Sequence, residues 1–295
     1  MKKIGLNGGI VDAADAVVPV MDHGFLYGMG LFETLRTYRG RPFLLERHLK
    51  RMAEGCRMLG IPFSPEDALA SMPGWIEALM KANGLEEAYI RYTVSAGVDV
   101  LGLPGEEYSR PNHVLLVKAL PEVPENLYTQ GKALQLLDTR RNSPEAPIRL
   151  KSLHYMNNIL AKRELAAVSD PRSRQAEGLM LDERGHVSEG VVSNVFFVKE
   201  GELYTPDAST GLLPGITRQV VLELAGAAGI RCTEGLYTWE DLLDADEVFV
   251  TSSIQELVPV TLLLDRQGTG RTVSHGAAGP ITRRLLDSYR QKAGI

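Results

Sequence analysis

Residues 147–165, PIRLKSLHYMNNILAKREL, place one lysine, Lys151, where a run of alternating residues gives way to helical spacing. Leu153, Met156, Ile159 and Leu160 recur at intervals of about three to four, which suits the buried face of a helix. Ser152 is the candidate N-cap of that helix, so Lys151 is expected at a strand-to-helix corner with its amine partly desolvated. A desolvated lysine tends to lose its proton, and a neutral amine is a nucleophile. The ordinary alternative is a lysine on a solvated face that does no chemistry.

Upstream, residues 2–7 and 8–13 read as a short hairpin. Residues 21–42, punctuated by Asp22, Gly24, Gly28 and Gly30, read as strands joined by tight turns. Helical spacing then runs from Phe43 to Leu59, with Leu45, Leu49, Met52 and Cys56 on one side. A second helix is predicted to start at Ser64, with Pro65 at N1 and Asp67 completing a box-like arrangement. Residues 88–98 and 113–120 follow as strands. Residues 1–120 therefore form an expected N-terminal α+β domain, and 121–131, with Pro121, Pro124 and Gly131, an expected interdomain linker. Residues 132–295 read as a larger β-rich domain, with helices after Lys151, from about Thr217, and at the C-terminus.

The chain of 295 residues is 44% hydrophobic and 23% charged, an ordinary globular balance sufficient for a substantial core. Its net charge of -5, without a basic block, argues against nucleic acid or membrane and for a small-molecule partner. Two distant cysteines and no apolar leader point to a reduced, cytoplasmic protein. The histidines show no metal-ligand spacing, so no metal is expected. GxSxG and GxxxxGK[ST] are absent, as is GxGxxG in a βαβ setting.

Three further features combine with Lys151. Glu189 interrupts an otherwise apolar strand, and a buried carboxylate needs a cation or hydrogen-bond donors. Gly215, Ile216 and Thr217 open a helix after Pro214, where free amides and the helix dipole suit a phosphate. Ser252 and Ser253 end a strand and offer hydroxyls. Taken singly, these are a strand-end glutamate, a turn and two turn-forming serines. Together they supply an amine for a Schiff base, an acid for a pyridinium nitrogen and donors for a phosphate, the requirements of a pyridoxal phosphate site. Arg51, otherwise a solvated helix-face arginine, adds a charge-assisted donor.

These motifs resemble the fold-type IV pyridoxal-phosphate enzymes, the class IV aminotransferase family. The resemblance runs from DHGFLYGMGLFETLR through HLKRM, YIRYTVSAG, RLKSLHYMNNILAKRE, VSEGVVSNVFFV and LLPGITR to FVTSSIQELVPV. It implies a two-domain α+β architecture like that of D-amino-acid aminotransferases, with the cofactor between domains, and a homodimer. It makes Lys151 the Schiff-base lysine and proton shuttle, Glu189 the partner of the pyridine nitrogen and Arg51 a phosphate ligand. Tyr155, Ser193, Leu213, Gly215, Ile216, Thr217, Ser252 and Ser253 complete the implied cofactor set. Met29 departs from the family's usual GDG. Within the family the chain looks most like the lyase branch that converts 4-amino-4-deoxychorismate to 4-aminobenzoate and pyruvate. A branched-chain or D-amino-acid aminotransferase is the alternative, and a non-catalytic pyridoxal-phosphate-binding protein is the reading of another class. Candidate substrate ligands are Phe32, Arg91, Arg140, Arg141 and Arg149, arginine being suited to bidentate carboxylate binding; an exposed loop pair is the ordinary reading of Arg140 and Arg141.

Overall fold

Asn7 and Gly8, with φ of 49° and 83°, make the two-residue turn between strands β1 (Lys3–Leu6) and β2 (Gly9–Asp12). Asn-Gly suits such a turn because its left-handed residues match the right-handed twist of the strands. β3 (Gly30–Tyr38), β4 (Arg41–Pro42), β5 (Tyr89–Ser95) and β6 (Asn112–Lys118) extend the hairpin into an antiparallel sheet ordered β2-β1-β6-β5-β3-β4. The computed structural model describes residues 1–295, and this sheet belongs to the first of two units, Met1–Glu122 with Leu150–His154.

Helices α1 (His23–Tyr27), α2 (Leu45–Met58) and α3 (Pro65–Asn83) complete that unit. α2 buries Leu45, Leu49, Met52 and Cys56, the side its periodicity predicts. The Ser64 hydroxyl accepts the Asp67 N–H at 3.1 Å to start α3. Their apolar faces meet Leu31, Leu35, Ile90, Val94, Leu115 and Val117 of the sheet in one core. α2 approaches β3 so closely that a Cβ on Gly55 would lie 2.5 Å from Leu31 Cδ1. Residues 21–42 differ from expectation by containing α1. Buried Asp22 caps it, accepting the Gly24 N–H at 2.7 Å while also bonding Ser95 and Asn112.

The second unit is Val123–Arg149 with Tyr155–Ile295. Its first helix, α4 (Leu127–Gln130), lies in the stretch expected to be a linker, and Leu127 is buried in the unit's core. Strands β7 (Lys132–Leu136), β8 (Glu177–Leu181), β9 (Val187–Gly190), β10 (Asn194–Lys199), β11 (Glu202–Pro206), β12 (Cys232–Gly235), β13 (Glu247–Ser252) and β14 (Glu256–Leu264) form a mixed sheet ordered β12-β11-β10-β13-β14-β7-β8-β9. A short β15 (Gly270–Thr272) pairs with β14. One face buries Leu134, Val195, Phe197, Val248, Val250 and Val258. The other elements are α5 (Met156–Ala167), α6 (Ile216–Ala227), α7 (Trp239–Leu243) and α8 (Pro280–Ala293). No helix is long and apolar enough to cross a membrane.

Helix α5 corrects the reading of residues 147–165. Ser152 is not its cap: the helix starts at Met156, and Ser152 instead bridges Leu31. Asn158, Ala161 and Leu165 face inward, whereas Met156, Ile159 and Leu160 are exposed. The phase is set by polar bonding, because the Asn158 amide donates to the Val191 carbonyl at 2.7 Å and its oxygen accepts from Arg141 at 3.2 Å.

α8 has no capping side chain of its own. Buried Glu247 of β13 supplies the acceptors, taking the N–H groups of Ile281 (3.0 Å) and Thr282 (2.8 Å) and the Thr282 hydroxyl (2.7 Å). Glu247→Ala should strand these donors at a cost of about 2 kcal/mol. The check is amide hydrogen exchange, in which protection at the start of α8 should fall ahead of the sheet's.

Candidate active site

In the first unit Lys151 lies on an extended segment against β3. Phe32 N–H donates to the Lys151 carbonyl at 2.9 Å, and Leu153 N–H donates to the Gly30 carbonyl at 3.0 Å. The amine is thereby held half-buried, with Nζ 4.7 Å from the centre of the Phe32 ring. The Arg91 guanidinium carbon lies 3.5 Å from the centre of that same ring. Phe32 is 2% exposed, so one buried aromatic anchors both cations.

The next residue of β3, Glu33, is equally buried and points its carboxylate at α2. Oε1 accepts from Arg51 Nε at 2.8 Å, and Oε2 accepts from Arg51 Nη2 at 2.7 Å and His48 Nδ1 at 2.6 Å. Burial disfavours the Glu33 charge, but Arg51 and His48 outweigh it and hold the carboxyl at about 2. Burial lowers the pKa of His48 despite Glu33, and the nearby charges of Arg51 and Lys151 lower it further. The imidazole is therefore neutral and donates Nδ1–H.

In the second unit Glu189, on β9, is 5% exposed. Its Oε1 accepts from Arg141 Nε at 2.7 Å, and its Oε2 from Leu213 N–H at 3.0 Å and Asn194 Nδ2 at 3.4 Å. Burial raises its pKa, opposed by Arg141, the Leu213 amide and Arg149. Arg141 also donates to Asn157 (2.7 Å) and Asn158 (3.2 Å) on α5. Arg141 is thus buried and bonded to Glu189, which corrects the exposed-pair reading for that residue. Arg140 is exposed, with a long 3.5 Å bond to the Asp182 carbonyl. Arg149 is buried and spends its guanidinium on the carbonyls of Gly211 and Asn142; burial and Arg141 lower its pKa to about 10.

Helix α6 begins at Gly215 without a side-chain cap, leaving its first amides to other acceptors. Asn194 fixes the approach, donating to the Leu213 carbonyl at 2.8 Å; a Cβ on Gly215 would sit 2.1 Å from Asn194 Oδ1. Ile216 and Thr217 are buried in the first turn. Opposite Asn194 on β13 is Thr251, whose buried hydroxyl has no hydrogen-bond partner; the same holds for Ser193. Ser252 Oγ accepts the Gln255 N–H at 3.1 Å, and Ser253 is half-buried in the same turn. Tyr155 stands at the N-cap of α5. A buried carboxylate, an uncapped helix start and unpartnered hydroxyls within one unit fit a phosphorylated, nitrogen-containing ring.

Sequence reasoning missed Glu33, His48, Asn158, Asn194 and Thr251. A signal existed for the first two: a glutamate in the apolar strand GLFETL, and a histidine three residues before Arg51 on α2.

Residues 30–263 match the family model for amino-transferase class IV, and the chain belongs to that family. It is 40% identical over 261 residues to an aminodeoxychorismate lyase of Bacillus subtilis, covering 88% of this chain and 85% of the relative. It is also 37% identical over 300 residues to a putative branched-chain-amino-acid aminotransferase of Methanocaldococcus jannaschii, covering 99% and 98%. Among solved structures, the T.th. branched-chain amino acid aminotransferase with pyridoxamine 5'-phosphate superposes with a TM-score of 0.82 at 30% identity, covering 99% of this chain and 94% of that one.

Because the folded chain holds Glu33 at about 2 against an ordinary 4.5, its ion pairs stabilise the fold above about pH 4.5 and cease to do so as pH falls toward about 2. Urea unfolding followed by Trp75 in a Trp239→Phe background should lose of order 3 kcal/mol across that window. Glu33→Gln should lose less.

Proposed function

We propose that this chain is a pyridoxal-phosphate-dependent lyase that converts 4-amino-4-deoxychorismate to 4-aminobenzoate and pyruvate. The observation that carries this reading is the likeness to the Bacillus subtilis lyase over most of both chains. Pyridoxal phosphate, when bound, supplies an aldehyde for the substrate amine and a ring that withdraws electrons from the carbon bearing it.

In this reading Lys151 would hold the cofactor through its amine, and that amine, once displaced by the substrate's, would take the proton from the carbon bearing the substrate nitrogen. Its backbone bonds to β3 and the Phe32 ring limit where the amine reaches. Glu189 would accept the hydrogen bond of a protonated ring nitrogen, and Arg141 holds Glu189 in place. The first amides of α6 take the phosphate, and the family resemblance gives Arg51 the same role. Arg91, stacked on Phe32, takes a substrate carboxylate. Loss of that carbon's proton with cleavage of the enolpyruvyl C–O bond would make the substrate ring aromatic, and the enolpyruvate released would take up a proton to become pyruvate. The two products together have the composition of the substrate, so neither water nor a keto acid is consumed.

The rival reading is a branched-chain or D-amino-acid aminotransferase, favoured by the likeness to the Methanocaldococcus jannaschii protein over nearly all of both chains. The two reactions separate in one assay on cofactor-loaded protein. The lyase releases equimolar pyruvate and 4-aminobenzoate without added keto acid. Amino transfer to 2-oxoglutarate with no such release would establish the rival. Lys151→Ala should abolish the cofactor's lysine-linked visible absorbance and lower turnover by about a thousandfold or more; unchanged absorbance would show that another lysine holds the cofactor.

We also propose that the working form is a homodimer. Exposed Met156, Ile159 and Leu160 of α5 support it, because a cluster of exposed large apolar side chains marks a surface that a partner covers. Light scattering on the purified protein should give twice the chain mass, and Ile159→Glu combined with Leu160→Glu should shift it toward the monomer if this face is the one covered.

A further inference from the structure

We propose that the Thr251 hydroxyl is a further ligand of the cofactor's phosphate, donating to it beside the first amides of α6. The inference rests on the reading that the start of α6 takes that phosphate, and it holds for the lyase and the aminotransferase alike. Thr251 lies on β13 and is 2% exposed, yet its Oγ1 has no hydrogen-bond partner. An unpaired buried hydroxyl costs folding free energy, whereas a valine of nearly the same shape would not. The folded chain bears that cost at a place where an anion is expected.

Strand alternation gives the hydroxyl its direction. Val248 and Val250 of β13, with Val195 and Phe197 of β10, face the apolar core of the sheet. Phe249 and Thr251, with their cross-strand partners Phe196 and Asn194, therefore occupy the other face, where the two phenylalanine rings stack at 5.1 Å. From that face the Asn194 side chain reaches the entry to α6. It donates to the Leu213 carbonyl at 2.8 Å and comes so near Gly215 that a side chain there would collide with it. Cross-strand partners hold their Cβ atoms about 5 Å apart, so Thr251 stands beside the residues that open the helix. Nearby hydroxyls are placed differently: Ser252 accepts the Gln255 N–H at 3.1 Å in closing the turn, and Ser193 is turned to Gly190. A phosphate at α6 would meet amide donors at the favourable end of the helix dipole together with this preplaced hydroxyl. β-branching restricts the Thr251 rotamer, so little side-chain freedom is lost on binding.

The test compares the affinity of cofactor-free protein for pyridoxal phosphate with its affinity for pyridoxal, which lacks the phosphate. Wild type should prefer the phosphorylated form. Thr251→Val should reduce that preference about tenfold and leave the affinity for pyridoxal unchanged. The same substitution should raise the urea midpoint of the cofactor-free protein, because the unpaired hydroxyl is gone. Stability and phosphate affinity thus move in opposite directions, which a merely structural threonine would not produce. Thr251→Ser, which keeps the hydroxyl, should retain the preference within about threefold of wild type, and Thr251→Ala takes the place of the valine variant if that one does not fold. Three results would each overturn the role: a preference within about 1.5-fold of wild type in the hydroxyl-free variant, equal weakening of both ligands, or as large a loss in Thr251→Ser. If wild type itself binds the two ligands equally, the reading of the α6 start as a phosphate site is wrong, and this inference falls with it.

Discussion

Two backbone hydrogen bonds, from Phe32 to Lys151 and from Leu153 to Gly30, fix the amine on which the proposed chemistry turns. They make a five-residue segment of the later sequence an edge partner of β3, and everything else on that strand follows from its alternation. Phe32 faces the amine and Arg91, while Glu33, one residue on, faces α2. One slip of register would exchange the aromatic for the carboxylate beside the lysine. The register is held by the core residues Leu31 and Leu35 on the same strand, and by Gly55, whose missing side chain lets α2 come close.

The two buried carboxylates solve the same problem with opposite results. Glu33 meets a bidentate arginine and a histidine, and stays well below the usual carboxylate range. Glu189 meets a single nitrogen of Arg141, a backbone amide and the Asn194 side chain, and burial prevails. The first is a permanent counterion, spent within its own unit. The second keeps a stronger hold on a proton, which suits the partner of a ring nitrogen in the proposed function.

What was legible in the sequence was local. The Asn7-Gly8 turn, the Ser64 cap and the apolar side of α2 are determined within a few residues of themselves. Glu189 was legible as a charge in an apolar strand, but its counterion was not, because Arg141 is 48 residues away. Read locally, Arg140 and Arg141 are alike; only the fold exposes one and buries the other. The same reason defeated the reading of α5, whose apolar spacing at Leu153, Met156 and Ile159 is real. The β3 pairing holds Leu153 in extended backbone, and the Arg141 and Val191 bonds to Asn158 turn a polar residue inward. α7 was overlooked although Thr238 and Asp241 form a reciprocal cap, because five residues are too few to show periodicity.

The first unit is discontinuous, since Leu150–His154 belongs to it while the residues on either side belong to the second. A fragment ending at Glu122 would therefore lack the segment that pairs with β3, and the remainder would carry its lysine on a strand with no sheet to join. The polypeptide cannot be divided by a single cut into two independent halves. A cut at the boundary after Glu122 separates Lys151 from the strand with which its backbone pairs.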